Sequence, residues 1–131
     1  MQPLRYYRLW LVIGIGLLLF VAYMSLIPSR VGIGDIENSD LFLHLLAYAV
    51  ITGWFQQILR RQAMITVAVT MLLYGGALEL AQYFIPAREP HWSDFFANAA
   101  GVLSATLINT TRIRETLLLI EENYLPAPHD S

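Results

Sequence analysis

The chain has 131 residues, 14% of them charged, a net charge of −2 and no Cys. A soluble domain carries closer to about 25% charged residues, and the mean hydropathy here is +0.52, so much of the apolar surface is expected to meet lipid. The weak acidic balance gives no field for nucleic acid, and the absence of Cys excludes disulfides and thiolate metal sites.

Four apolar stretches follow one another, at about Leu9–Ile27, Leu41–Leu59, Ala63–Ile85 and Phe95–Ile113. Each is about 19–23 residues, enough for a helix to cross a hydrocarbon core of about 30 Å. The predicted fold is therefore an all-α, integral membrane four-helix bundle, one domain over residues 1–131. The first stretch reads as an uncleaved helix. Its apolar run exceeds the roughly 7–15 residues of a signal-peptide core, and "AYMSLIP" lacks a small-x-small cleavage site. Pro28 closes this stretch, and a polar loop leads to Ser39, a candidate N-cap for the second helix. Arg60 and Arg61 turn the chain into the third. Pro86 closes the third, and Ser93 is a candidate cap for the fourth. The tail, 114–131, is expected to continue the fourth helix and fray after Pro126, with Leu117–Ile120 against the inner membrane surface or in an ordinary helix extension. His129 receives no role.

All eight cationic side chains are Arg. Arg5, Arg8, Arg60, Arg61, Arg112 and Arg114 fall at one set of helix ends; Arg30 and Arg88 fall at the other. The positive-inside rule then puts both termini and the 60–62 turn in the cytoplasm, with 28–40 and 86–93 outside. Aromatic residues agree, with Tyr6, Tyr7, Trp10 and Trp54 at the inner interface and Tyr83 and Trp92 at the outer. The expected location is the bacterial cytoplasmic membrane, multi-pass.

The polar residues within these stretches share one depth. Asp40 opens the second stretch, His44 lies at i+4, about 6 Å further in, and Tyr48 follows one turn on. Glu79 sits about 9 Å before the outer end of the third, with Gln82 at i+3. Asp94 opens the fourth, with Asn98 one turn below. Facing lipid, an ionisable residue at a helix centre costs about 2.5–3.5 kcal/mol, and less near the interface, so these groups are expected to face one another. Gly75, Gly101 and Ala105 would let the helices approach closely. Asn98 and Gln82 also fit as interhelical hydrogen-bonding contacts, Tyr48 as packing, Arg88 as a solvated loop residue, and Asp40 and Asp94 as favourable charges at helix N-termini.

The stretches "DLFLHLLAY", "ELAQYFIPAR" and "SDFFANAAG", in that order, resemble the VanZ-like family. Its members are small multi-helix bacterial membrane proteins named after a protein associated with teicoplanin resistance. The resemblance covers about residues 9–112. It departs at Leu41, where the family often has Lys. It implies a membrane protein of the cell envelope and supplies no reaction.

The functional expectation is an outward-facing polar pocket that binds or acts on the headgroup of an envelope lipid or cell-wall precursor. His44 and Glu79 form a general acid/base pair with Asp94 as a third catalytic candidate. Asp40, Tyr48, Gln82, Arg88 and Asn98 are the binding candidates, with Arg88 suited to a phosphate or carboxylate. No nucleophile is evident, and no cofactor or resident metal is assigned. Partners are membrane lipids or a lipid-linked envelope precursor, with no nucleic acid and homo-oligomerisation left open. The competing reading is a noncatalytic membrane accessory or binding subunit in which these residues are packing contacts. Two lesser ones are a divalent metal site from His44, Glu79, Asp94 and Asp40, and a proton-coupled carrier, for which no inverted repeat is visible.

Overall fold

The computed structural model describes residues 3–27, 37–86 and 88–126. The expected stop at Pro28, Arg30 and most of its loop, and His129 lie outside the described residues. Among those described there are five α-helices and no strand: α1 (Tyr7–Leu26), α2 (Ser39–Ile58), α3 (Met64–Gln82), α4 (Trp92–Ile108) and α5 (Thr116–Tyr124). Short 3-10 turns, Arg61–Ala63 and Arg112–Glu115, lead into α3 and α5.

Among the described residues, three helical segments are long and apolar enough to cross a membrane: α1, α2 and Arg61–Gln82. Val12, Leu19, Ile65 and Leu73 stand exposed along them. Exposed side chains of this size on helices of this length mark a membrane protein. α4 has 17 residues, a rise of about 25 Å, slightly under the hydrocarbon thickness.

The helix ends differ from expectation in ways local chemistry explains. The fourth helix stops at Ile108, short of the expected 113. Asn109 Nδ2 donates to the Ala105 carbonyl (3.0 Å), Thr110 Oγ1 to Leu107 (2.6 Å) and Thr111 Oγ1 to Ile108 (2.6 Å). The same carbonyls also accept the backbone N–H groups of Asn109, Thr110 and Thr111, the last two from i+3, so the side chains back up a tightened last turn rather than a continuing helix. The third helix ends at Gln82. Tyr83, Phe84 and Ile85 continue with i to i−3 bonds of 3.0–3.2 Å, a tightened last turn ahead of Pro86. Ser39 and Ser93 are not the caps. The N-cap positions belong to Asn38, in the left-handed region at φ 59°, and to His91. Both serines lie inside the first turn.

α2 makes its widest contact with α4, and the two run parallel. Gly101 permits it: a Cβ there would run into the Leu45 carbonyl oxygen and come within 2.9 Å of Ala49 N. Gly75 on α3 likewise receives the Tyr48 ring, whose atoms would stand 3.1–3.2 Å from an added Cβ. Around these contacts Val21, Tyr48, Ile51, Val67, Met71 and Val102 form the core.

The tail does not extend α4. α5 turns back, and its Leu117 packs with Leu4, Trp10 and Ile58. Glu121, fully buried, accepts hydrogen bonds from Arg5 N (2.7 Å), Tyr6 N (2.9 Å) and Trp10 Nε1 (2.6 Å). A carboxylate thereby meets the N–H groups and positive dipole end at the start of α1. Trp10 consequently faces inward, edge-on to Trp54 at 5.8 Å, rather than serving as an interfacial anchor. Tyr83 and Trp92 are highly exposed.

Candidate functional site

The first turns of α2 and α4 and the last turns of α3 meet at one end of the molecule. His44 Nδ1 lies 2.9 Å from Asn98 Oδ1. With the amide oxygen facing the ring, Nδ1 is the donor of this contact, and Nε2 is the ring nitrogen turned toward Asp94. Nε2 stands 3.8 Å from Asp94 Oδ2. One donor atom each from His44, Glu79 and Asp94 lies within 4.8 Å of the others. Asp94 and Asn98 are 8% and 2% exposed. Glu79 Oε2 is shut off from solvent and has no hydrogen-bond partner.

This cluster borders a cavity of about 330 Å³ whose lining includes Asp40, His44, Tyr48, Gln82, Arg88 and Asp94. These are six of the eight residues singled out from the sequence. Asn98 sits behind His44, buried on α4. Glu79 instead lines a second cavity, of about 580 Å³, with Leu80, Tyr83, Trp92 and Phe95. His91 borders both. The ionisable cluster therefore stands between two recesses whose walls are both mainly apolar, the first with Phe20, Leu43 and Ala47 beside its charged residues Asp40, Arg88 and Glu89.

Several binding candidates have structural partners. Arg88 donates through Nε to the Ile27 carbonyl (3.1 Å) and through Nη2 to Met24 (3.0 Å) and Ser25 (3.0 Å). Three of its five N–H groups thus cap the C-terminus of α1, where carbonyls lack helical partners and a cation is favoured. Only Nη1 remains for a ligand. Gln82 Nε2 donates to the Ser25 carbonyl (2.8 Å), so it ties α3 to α1. Tyr48 is a core residue, 1% exposed, and its hydroxyl has no hydrogen-bond partner. Its ring stacks obliquely on Tyr74, with centroids 6.3 Å apart. Asp40 lies in the first turn of α2 and lines the first cavity.

Two polar centres escape the sequence reading. At the opposite ends of α2 and α4, Gln56 Nε2 donates to Thr106 Oγ1 (2.9 Å) and the Met64 carbonyl (3.1 Å), and Asn109 Nδ2 to Gln56 Oε1 (3.3 Å). The signal was present, since Gln56 lies inside an apolar stretch. Glu121 gave no local signal; its partners are 111–116 residues away. His91 and Glu89, both bordering the first cavity, read as loop residues in sequence because only the fold turns that loop over α2.

Comparison of the chain with models of protein families, with curated proteins and with solved structures finds no match.

Proposed function

We propose that this is a VanZ-like protein of the bacterial cytoplasmic membrane that binds or acts on a phosphate-bearing lipid headgroup in an outward-facing pocket. In this reading α4 supplies a fourth span, both termini are cytoplasmic, and the end carrying Asp40 and Asp94 faces outward. Six Arg at one set of helix ends against two at the other support the orientation.

The observation that carries the reading is the meeting of His44, Glu79 and Asp94 beside a cavity whose largely apolar wall also carries Asp40, Arg88 and Glu89, with a second apolar recess on the Glu79 side. An amphipathic ligand matches this setting, with its headgroup at the charged residues of the first cavity and its hydrocarbon along apolar wall such as Leu80, Tyr83 and Phe95. Arg88 Nη1 offers a charge-assisted contact to the headgroup. His44 Nε2 is poised to take a proton, and the Glu79 carboxyl stands within reach to supply one. A noncatalytic accessory role is the second reading. The bonds of Gln82 and Arg88 to α1 carbonyls favour it, because packing alone accounts for both residues.

Native mass spectrometry of the detergent-solubilised chain tests the proposal. A polyprenyl phosphate and phosphatidylglycerol should be retained well above diacylglycerol, which lacks the headgroup, and Leu80→Asp should weaken retention of both. Equal retention of all three lipids would remove the headgroup reading.

A further inference from the structure

Two carboxylates and a histidine nitrogen share a space that a single ion would fill. Donors around a tetrahedral or octahedral ion at about 2.1 Å stand about 3.0–3.5 Å apart. Here His44 Nε2 and Asp94 Oδ2 are already at 3.8 Å, and the widest separation in the set is within 4.8 Å. Closing it takes about 1 Å of movement, within reach of the flexible Glu79 side chain.

Three further features favour a cation over an empty carboxylate pair. First, Asn98 Oδ1 stands 2.9 Å from His44 Nδ1, which turns the other ring nitrogen, Nε2, toward the carboxylates. An outer-shell oxygen on the far ring nitrogen is the usual companion of a metal-ligating histidine. Second, Glu79 Oε2 is enclosed and has no hydrogen-bond partner among the described residues, and the Asp94 side chain beside it is 8% exposed. Buried carboxylate oxygens are ordinarily paired or bound to metal. Third, the cavity beside the cluster has three carboxylates on its walls, Asp40, Glu89 and Asp94, while Arg88 has most of its donors on α1, so a cation there meets net negative charge.

We propose that His44 Nε2 and the carboxylates of Glu79 and Asp94 form a binding site for one divalent transition-metal ion of the Zn²⁺ or Mn²⁺ class. The mixed nitrogen and oxygen donor set suits these ions. His44 and Asp94 border the first cavity, so the remaining coordination positions open onto it. With the ion bound, Nε2 is a ligand rather than a base. Asn98 is a positioning residue that acts through His44. The ion site stands on this geometry whether or not the ligand is a lipid headgroup.

The test uses the full chain in detergent, stripped with chelator and titrated with Zn²⁺ and with Mn²⁺. One ion should bind per chain. Asp94→Asn and Glu79→Gln should each weaken affinity at least tenfold, and Asn98→Ala about tenfold. Glu89→Gln and His129→Ala should stay within twofold of wild type. Helical circular dichroism and melting temperature check that each variant is folded. Should one fail to fold, the wild type still decides: Zn²⁺ must shift the ring-nitrogen NMR signals of His44 among the three histidines. Absence of a stoichiometric ion, an unmoved His44 signal, or folded Asp94→Asn and Glu79→Gln that bind like wild type would each overturn the site. Lipid retention by the stripped protein separates the two proposals. Headgroup retention without ion binding sinks the metal site alone, and ion binding without headgroup selectivity sinks the lipid reading alone.

Discussion

Gly101→Ala probes the contact on which the site depends. An added Cβ would overlap the Leu45 carbonyl oxygen and lie 2.9 Å from Ala49 N and 3.1 Å from Leu45 C. A comfortable carbon-to-oxygen contact is about 3.3–3.6 Å, and the obstacle is backbone, so α2 and α4 must separate by about 1 Å. The same separation would carry the 2.9 Å bond between His44 and Asn98 to about 3.9 Å, beyond hydrogen-bonding range. Overpacking costs about 1–3 kcal/mol, and the lost bond adds about 0.5–1.5 kcal/mol, so the expected destabilisation is about 2–4 kcal/mol. Gly16→Ala is the internal control. Nothing lies within 4 Å of a Cβ at Gly16, and Ala is the better helix former by about 0.5–1 kcal/mol. Melting in detergent should place Gly101→Ala well below wild type and Gly16→Ala level with it or above. If the two variants melt together, the close approach of α2 and α4 is wrong and with it the placement of Asn98 behind His44.

Glu121→Ala should cost about 3–5 kcal/mol, because it leaves three donors at the start of α1 without their charged acceptor; a wild-type melting temperature would contradict the docking of α5. Arg88→Met should lower stability by about 1–3 kcal/mol through loss of the α1 cap, and the effect should persist in the absence of any lipid ligand, as a melt in lipid-free detergent would reveal. Asn98→Ala should cost about 1 kcal/mol and free the His44 ring, seen as altered histidine tautomer signals by NMR. A single cysteine at position 89 should label from outside intact cells, and one at 129 only after permeabilisation; the reverse pattern would invert the topology.

The convergence of His44, Glu79, Asp94 and Asn98 was legible because helix geometry is local. Asp40 and Asp94 each open an apolar stretch, Glu79 precedes the end of another, and a fixed rise per residue sets their depths before any packing is known. Gly75 and Gly101 were legible for the same reason: small residues one turn from polar ones mark the close-packed face. The break after Ile108 could have been read, since Asn109, Thr110 and Thr111 are three consecutive side chains that compete for helix carbonyls; the apolar character of the surrounding residues masked them. Nothing local revealed α5 folding back to the start of α1, nor Arg88 capping α1 across a separation of 61–64 residues. Both depend on pairings between ends of the chain that periodicity does not encode. The split of the site between two cavities was hidden too, because helical height places Glu79 level with His44 without saying into which recess its carboxylate opens.

The central claim is that the meeting of His44, Glu79 and Asp94 serves function rather than packing. Glu79→Gln in a deletion strain tests it most directly, paired with melting of the same purified variant. The amide keeps the shape, loses the ionisable oxygen and is cheaper to bury than a carboxylate. The account predicts a melting temperature at or above wild type together with loss of the phenotype the gene confers, and the same paired result for His44→Asn. A Glu79→Gln protein that complements fully, or one that melts far below wild type, would make the cluster a packing contact.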